Sequence, residues 1–155
     1  MGVAKTLLSF CFIFGAGSVC FSQTETGFYF ETTSKKNCVN LVRAFDEKTS
    51  YCITEKPIIK ETEFESVSEV YIDYANQKKS ANLKLSDKGF AAIKTIMKTF
   101  PNNKLLLVVK GKVVGLFNTQ GIVKQLMPIS GSLESREIDW LFNNVTVIKK
   151  NKDIN

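Results

Sequence analysis

The amino-acid sequence predicts an α+β fold, a mainly antiparallel sheet with two main helices packed on one face. Segments rich in aromatic and β-branched residues outnumber those with helical periodicity. Most connections between neighbouring strand segments are short and polar, which favours antiparallel hairpins. Two segments in the second half repeat apolar residues at helical spacing, and these are the two helices.

The first half of the chain contains three predicted strands. They are GFYFETT at 27–33, NLVRAF at 40–45 and SYCIT at 50–54. The polar residues 46–49 form the turn between the second and third strands. Pro57 then introduces Ile58 and Ile59, and the polar segment 61–66 is expected to be a connection with a short helical turn.

A hairpin and a helix follow. VYIDY at 70–74 and ANLKL at 81–85 are predicted to pair as antiparallel strands around the polar turn 75–80. Ser86 stands where a helix N-cap belongs, and Asp87 in the first turn favours the helix dipole. Apolar residues then recur at helical spacing until Pro101 ends the helix; they are Phe90, Ile93, Ile96, Met97 and Phe100.

The last third combines a second hairpin with a second helix. KLLLVV at 104–109 is almost continuously apolar, which indicates a central strand, and VVGLF at 113–117 returns beside it. The tight turn lies at 110–111 or at 111–112. The remaining predicted elements are an extended piece at 127–133, a helix at 134–144 and a final strand, VTVIK, at 145–149.

The N-terminus has the organisation of a cleaved secretory signal over residues 1–22. Lys5 supplies the positive charge, 7–19 is an apolar run shorter than a membrane-spanning helix, and Ser22 precedes the expected cleavage point. A retained anchor is the alternative; a lipoprotein signal at Cys20 is disfavoured because Val19 occupies a position that needs a small residue. The expected product is one α+β domain, residues 23–155, in a periplasm or outside the cell, without stable membrane insertion after signal cleavage.

The composition argues against several classes of partner and chemistry. Lys and Arg number 21 against 15 Asp and Glu, but the basic residues are scattered, so nucleic acid is not an expected partner. Histidine is absent, which excludes Ser-His-Asp and Cys-His catalysis and disfavours zinc. No glycine-rich phosphate loop precedes a helix. We therefore expect no catalytic residue, no cofactor and no metal.

Two cysteines, Cys38 and Cys52, follow the signal. In an oxidising compartment they form one disulfide, or they are two buried thiols, and the sequence leaves both open. The three adjacent aromatic residues Phe28, Tyr29 and Phe30 have two interpretations as well. They pack within the sheet, or at least one is exposed and contributes a peptide-binding surface.

A family resemblance covers residues 68–149. ANLKLSDKGFAAIKTI, KLLLVVKGKVVG and MPISGSLESREIDWL, in this order, resemble the head part of the first periplasmic domain of SecD-type protein-export translocase subunits. A strand that ends in Leu-Ser before a helix, a hairpin containing Gly-Lys-Val and a Pro-Ile-x-Gly segment carry the likeness. The resemblance implies the fold and a surface that contacts exported polypeptides. The chain has none of that family's transmembrane helices, so it is no proton-driven translocase by itself.

Three functions follow as hypotheses. The first is a non-catalytic, exported binding or adaptor module that contacts polypeptides or an envelope protein. The second is a secreted inhibitor or immunity-type protein that blocks a folded enzyme, for example through the hairpin at 109–113. The third is an enzyme that uses carboxylates from the polar segment 61–69 or from the second helix, which we disfavour because both groups have the pattern of solvated faces.

Overall fold

A computed structural model of the chain describes residues 24–32, 38, 40–44, 48–120 and 124–152, with 146–152 as backbone. The predicted signal at 1–22 lies outside these residues. The described residues form ten strands and two α-helices: β1 (Gly27–Phe30), β2 (Asn40–Ala44), β3 (Ser50–Ile53), β4 (Ile59–Lys60), β5 (Phe64–Val67), β6 (Tyr71–Asp73), β7 (Lys78–Leu85), α1 (Asp87–Thr99), β8 (Lys104–Val109), β9 (Lys112–Asn118), β10 (Leu126–Ser132) and α2 (Arg136–Lys152).

The predicted α+β class is confirmed, but the strands form two sheets instead of one. The first sheet has the order β3-β2-β9-β8-β1-β4, and the second has the order β10-β7-β5, with β6 also paired to β7. All of these pairings are antiparallel except that of β2 with β9.

The first sheet curls until its third strand meets its first. Glu31, directly after β1, bridges to Ile53 of β3. Thr32 N–H donates to the Cys52 carbonyl at 2.7 Å, and Thr54 N–H donates to the Phe30 carbonyl at 3.1 Å. β1, β8, β9, β2 and β3 therefore form a closed ring. Apolar side chains on its inner side make one buried cluster: Tyr29, Val42, Ile53, Leu106, Val108 and Val113.

The outer side of this barrel packs against the second sheet and the helices. Alternate residues of β8 point to opposite sides, so Leu106 lies inside the barrel while Leu105 and Leu107 join the larger core. Because both sides of β8 are buried, its sequence is apolar without alternation, as predicted for a central strand. Ile93 of α1 and Ile138 of α2 belong to the same larger cluster, so the two helices share one core.

Local signals placed the first helix and the second hairpin correctly. The Ser86 Oγ accepts a hydrogen bond from Gly89 N–H at 3.0 Å and so caps α1. The β8–β9 turn lies at Lys110–Gly111, where φ is 48° and 80°. Two successive positive φ angles define the tight turn that matches strand twist, which decides between the two predicted turn positions.

Three predictions about local structure are wrong. The turn expected at 75–80 is shorter, because 78–80 already belong to β7 and pair with β6, whereas 81–85 pair with β10 and β5. The strand expected at 145–149 is the last part of α2, because Val145 falls on the helix face of Ile138 and Leu141, in the same cluster. Tertiary burial of that face outweighs the strand preference of β-branched residues. The expected connection at 61–66 contains a 3-10 turn at Glu61–Glu63, as predicted, but is followed by β5. A register shift between Phe64 and Ser66 disrupts the apolar alternation that would have revealed this strand.

Candidate functional site

The predicted peptide-binding surface at Phe28, Tyr29 and Phe30 is wrong. β1 lies inside the first sheet, where its neighbours are β8 on one side and β4 with β3 on the other. Phe28 is 0 % and Tyr29 1 % exposed, because the first points into the larger core and the second into the barrel. Phe30 is half-buried and packs edge-on against Phe100, with ring centroids 5.3 Å apart. Both faces of this strand are occupied by core packing, and Phe30 is its one partly exposed residue.

Cys38 and Cys52 are joined in a disulfide, with their Cα atoms 5.5 Å apart. Cys52 pairs with Leu41 in the β2–β3 register, and Cys38 lies three residues before Leu41. The bond therefore ties the chain entering β2 to β3. The Cys52 carbonyl also accepts the Thr32 hydrogen bond that closes the barrel, so the disulfide lies next to this closure.

Several carboxylates of the two acidic segments make ion pairs with lysines. Glu63 accepts hydrogen bonds from Lys88 at 2.9 Å and from the Ser86 hydroxyl at 2.8 Å. Asp139 on α2 pairs with Lys79 at 2.8 Å. In the described part of the chain, no cluster of three or more His, Cys, Asp or Glu could hold a metal ion. These contacts give Glu63 and Asp139 a structural role.

A cavity lies where the barrel meets the second sheet, and we call it the inter-sheet groove. Its volume is about 590 Å³, within the usual range for a ligand site. It is lined by Ala44, Thr49, Tyr51, Tyr71, Lys78, Ser80, Ala81, Asn82, Val113, Val114, Gly115, Leu116, Pro128, Ile129 and Ser130.

Three groups of strands build the groove. The β2–β3 end supplies Ala44, Thr49 and Tyr51, and the second sheet supplies the residues from β6, β7 and β10. β9 lies between them, since it pairs with β2 and packs against β10 without pairing to it. Along β7, Ala81 and Leu83 point into the core, so Ser80 and Asn82 point to the other side.

The groove lining combines apolar surface with neutral hydrogen-bonding groups. Leu116 is 50 % and Tyr71 57 % exposed, whereas Ser80, Asn82 and Ser130 add hydroxyl and amide groups. Lys78 is the single charged residue among the lining side chains, and none of them is a carboxylate, histidine or cysteine. The groove thus offers hydrogen-bonding groups, apolar surface and one positive charge to a bound molecule.

One carboxylate beside the groove has a perturbed titration. Asp73, at the β6–β7 turn, accepts hydrogen bonds from the side chain of Asn76 at 2.7 Å and from its backbone N–H at 3.1 Å. These bonds, with the Ala75 backbone and the charge of Lys78 as smaller causes, hold the pKa of Asp73 below its usual value. Asp73 therefore stays ionised and stabilises the turn.

Sequence reasoning missed this groove although it recognised most strands that form it. The alternation in ANLKL identified a polar side of β7, and the extended piece expected at 127–133 corresponds to β10. Neither signal tells which other strand that polar side faces. The groove depends on packing between sheets and has no local sequence signature.

The chain matches no family model, no curated protein and no solved structure. No helix among the described residues combines the length and the apolar composition needed to cross a bilayer. The fold and the groove together define an α+β domain with a small barrel and, beside it, a cleft whose lining contains one charged residue, Lys78.

Proposed function

We propose that this protein is a non-catalytic, exported binding module that holds a segment of a polypeptide or envelope protein in the inter-sheet groove. The observation that carries the proposal is the groove itself: about 590 Å³, lined by Tyr, Leu, Pro and neutral polar side chains with one lysine. Such a mixture is typical of surfaces that contact polypeptides, where apolar and aromatic area provides affinity and polar groups provide orientation.

The proposal implies weak binding. The exposed apolar area of the groove comes mainly from Leu116, Tyr71 and Pro128. A flexible polypeptide loses conformational entropy when it binds, and a small contact area offsets little of that cost. We expect a Kd in the range of about 10 μM to 1 mM.

Two exposed leucines supply a matched test. Leu116 lines the groove, whereas Leu41 is 60 % exposed on β2 and is not among the lining residues. The exported protein, labelled with ¹⁵N, is titrated with reduced and alkylated α-lactalbumin as an unfolded client, and amide shifts are recorded. Saturable shifts are expected for groove residues. Leu116→Lys should weaken binding at least about 5-fold, the loss of one apolar contact with an added charge, and Leu41→Lys should leave it unchanged.

Equal effects of both leucine substitutions would contradict the proposal, as would shifts confined to another surface. Tight binding to one folded enzyme, without any shift from the unfolded client, would favour the inhibitor hypothesis instead. The hairpin considered for inhibition gives that hypothesis no support. Val109 and Val113 are buried, and Lys110 Nζ lies 5.0 Å from the centroid of the Trp140 ring on α2.

Export and the resemblance to the SecD head belong to the same proposal. The signal predicted at 1–22 places the domain among unfolded or extended polypeptides, which are the partners that the groove suits. N-terminal sequencing of the exported protein should begin at or within a few residues of Gln23. An intact Met1 on a protein retained in the cytoplasm would contradict export.

A further inference from the structure

The hairpin formed by β6 and the start of β7 carries exposed apolar side chains. All residues from 71 to 78 are exposed, whereas each of the other described strands contains at least one buried residue. Tyr71 is 57 %, Ile72 48 % and Tyr74 72 % exposed. A group of exposed apolar side chains on one projecting element is typical of a surface that contacts another molecule.

The turn of this hairpin is held by its own hydrogen bonds. The Asp73 carboxylate accepts one hydrogen bond from the Asn76 side chain at 2.7 Å and another from the Asn76 backbone N–H at 3.1 Å. The Gln77 side-chain amide donates to the Tyr74 carbonyl at 3.0 Å. The conformation of the turn therefore rests on polar contacts, and the hairpin presents its apolar side chains on an ordered backbone.

The exposed apolar side chains lie on both sides of the hairpin and at its tip. Tyr71 lines the inter-sheet groove on one side. Ile72 lies on the other side, because it pairs with Lys79, whose ammonium group contacts Asp139 of α2. Tyr74 follows at the tip, directly after the last residue of β6. A flat partner surface contacts one side of such a hairpin, whereas the headgroup region of a lipid bilayer surrounds both sides.

The charged groups at the base of the hairpin balance one another. Asp73 and Lys78 are opposite each other in the β6–β7 register, and Lys79 pairs with Asp139. The whole chain has a formal charge of +6, to which Lys5 of the predicted signal contributes one. The hairpin therefore adds no local repulsion, and the protein as a whole is attracted to anionic surfaces.

The size and the chemistry of this surface favour a lipid bilayer over a folded protein. A stable protein interface buries about 800 Å² on each partner, which is more than two tyrosines and one isoleucine present. Contact with a bilayer requires less apolar area, because electrostatic attraction to anionic lipids adds to it. Tyrosine suits the headgroup region, since its ring is apolar and its hydroxyl stays hydrated.

We propose that the β6–β7 hairpin contacts the surface of an anionic lipid bilayer reversibly, with Ile72 and Tyr74 inserted at the level of the headgroups. This inference goes beyond the proposed function and does not depend on it. Because Tyr71 of the same hairpin lines the inter-sheet groove, the contact places the groove close to the bilayer.

The test is sedimentation of the exported protein with vesicles of phosphatidylcholine and phosphatidylglycerol in equal amounts. The double variant Ile72→Thr with Tyr74→Ser should lower the partition coefficient at least about 10-fold, because it removes the inserted apolar area. Tyr71 is left unchanged because it lines the groove. Leu41→Thr is the control, since Leu41 is 60 % exposed on β2 of the first sheet, and it should change the coefficient less than about 2-fold.

Tryptophan fluorescence supplies a second measurement that gains a signal. The native chain contains one tryptophan, Trp140, which packs against the larger core from α2. Its emission should change little when vesicles are added to the wild-type protein. In Tyr74→Trp the added emission should shift to shorter wavelength with the same vesicles, and brominated phosphatidylcholine should quench it.

Each outcome bears on the lipid contact alone. Failure of the wild-type protein to sediment with the vesicles would overturn it, as would equal losses in the double variant and in Leu41→Thr. Unchanged emission of Tyr74→Trp would do the same. Loss of affinity for reduced and alkylated α-lactalbumin in the double variant, with vesicle binding retained, would assign the hairpin to polypeptide contact instead. Selective loss of vesicle binding, with binding of α-lactalbumin unchanged, supports the lipid contact.

Discussion

Reduction of the Cys38–Cys52 disulfide is expected to lower the free energy of unfolding by about 3 kcal/mol. The two cysteines are 14 residues apart in sequence, and cross-linking a loop of this size removes conformational entropy from the unfolded chain. Reduction leaves both sulfur atoms in place, so the packing around the half-buried Cys38 and the buried Cys52 is nearly unchanged. The predicted loss therefore comes mainly from the unfolded state.

Urea unfolding of the oxidised and the reduced protein, followed by circular dichroism, measures this difference. With a slope of about 1–3 kcal/mol per molar urea, the midpoint should fall by about 1–3 M on reduction. A variant carrying Cys38→Ala and Cys52→Ala is the control, and its midpoint should not respond to reductant. A loss below about 1 kcal/mol in the reduced wild type would refute the reasoning, because the cross-link would then constrain little of the unfolded chain.

The remaining predictions concern the two cores. Ile93→Ala and Leu107→Ala should each lower the free energy of unfolding in urea by about 2–5 kcal/mol, because both side chains are 0 % exposed in the larger cluster. A loss below about 1 kcal/mol at both positions would contradict that packing. Burial, with the nearby Glu25 carboxylate, raises the pKa of Tyr29 to about 12. This folded-state pKa exceeds the unfolded value of 10.0, so the neutral phenol stabilises the fold below pH 10. As the pH rises from 10 through 12, the free energy of unfolding should fall by up to about 3 kcal/mol. Tyr29→Phe should remove this part of the alkaline destabilisation, and an unchanged pH dependence of unfolding between the variant and the wild type would contradict it.

The sequence alone predicted local structure correctly where interactions between neighbouring residues determine the backbone conformation. Ser86 could be recognised as an N-cap because its hydroxyl satisfies a free N–H of the next turn, whatever the rest of the chain does. Gly111 identified the β8–β9 turn because few residues adopt a positive φ at low cost. The α+β class was predicted from several local signals of this kind taken together along the chain.

Longer-range packing overruled local preference at two places. Val145 lies in a segment whose β-branched residues favour a strand, yet burial beside Leu141 extends α2 through it. Phe64 and Val67 are both buried in β5, but the register shift between them removes the period of two that identifies a strand. A single sequence does not show whether the local preference of a segment or its burial in the tertiary structure contributes more to the free energy of folding.

The alternation of Phe28 and Tyr29 is determined by the sequence alone, since successive strand residues point to opposite sides. Which sides are buried was decided only by the tertiary structure. The Glu31–Ile53 bridge closes the first sheet into a barrel, which encloses Tyr29 on the inside, while the second sheet and the helices cover Phe28 on the outside. Among the described residues, β2 pairs with β9 at Lys112 and Val113, and Leu116 farther along β9 lines the groove. Strand pairing between segments far apart in the chain creates both features, and the hydrophobic pattern of each segment is compatible with many such pairings.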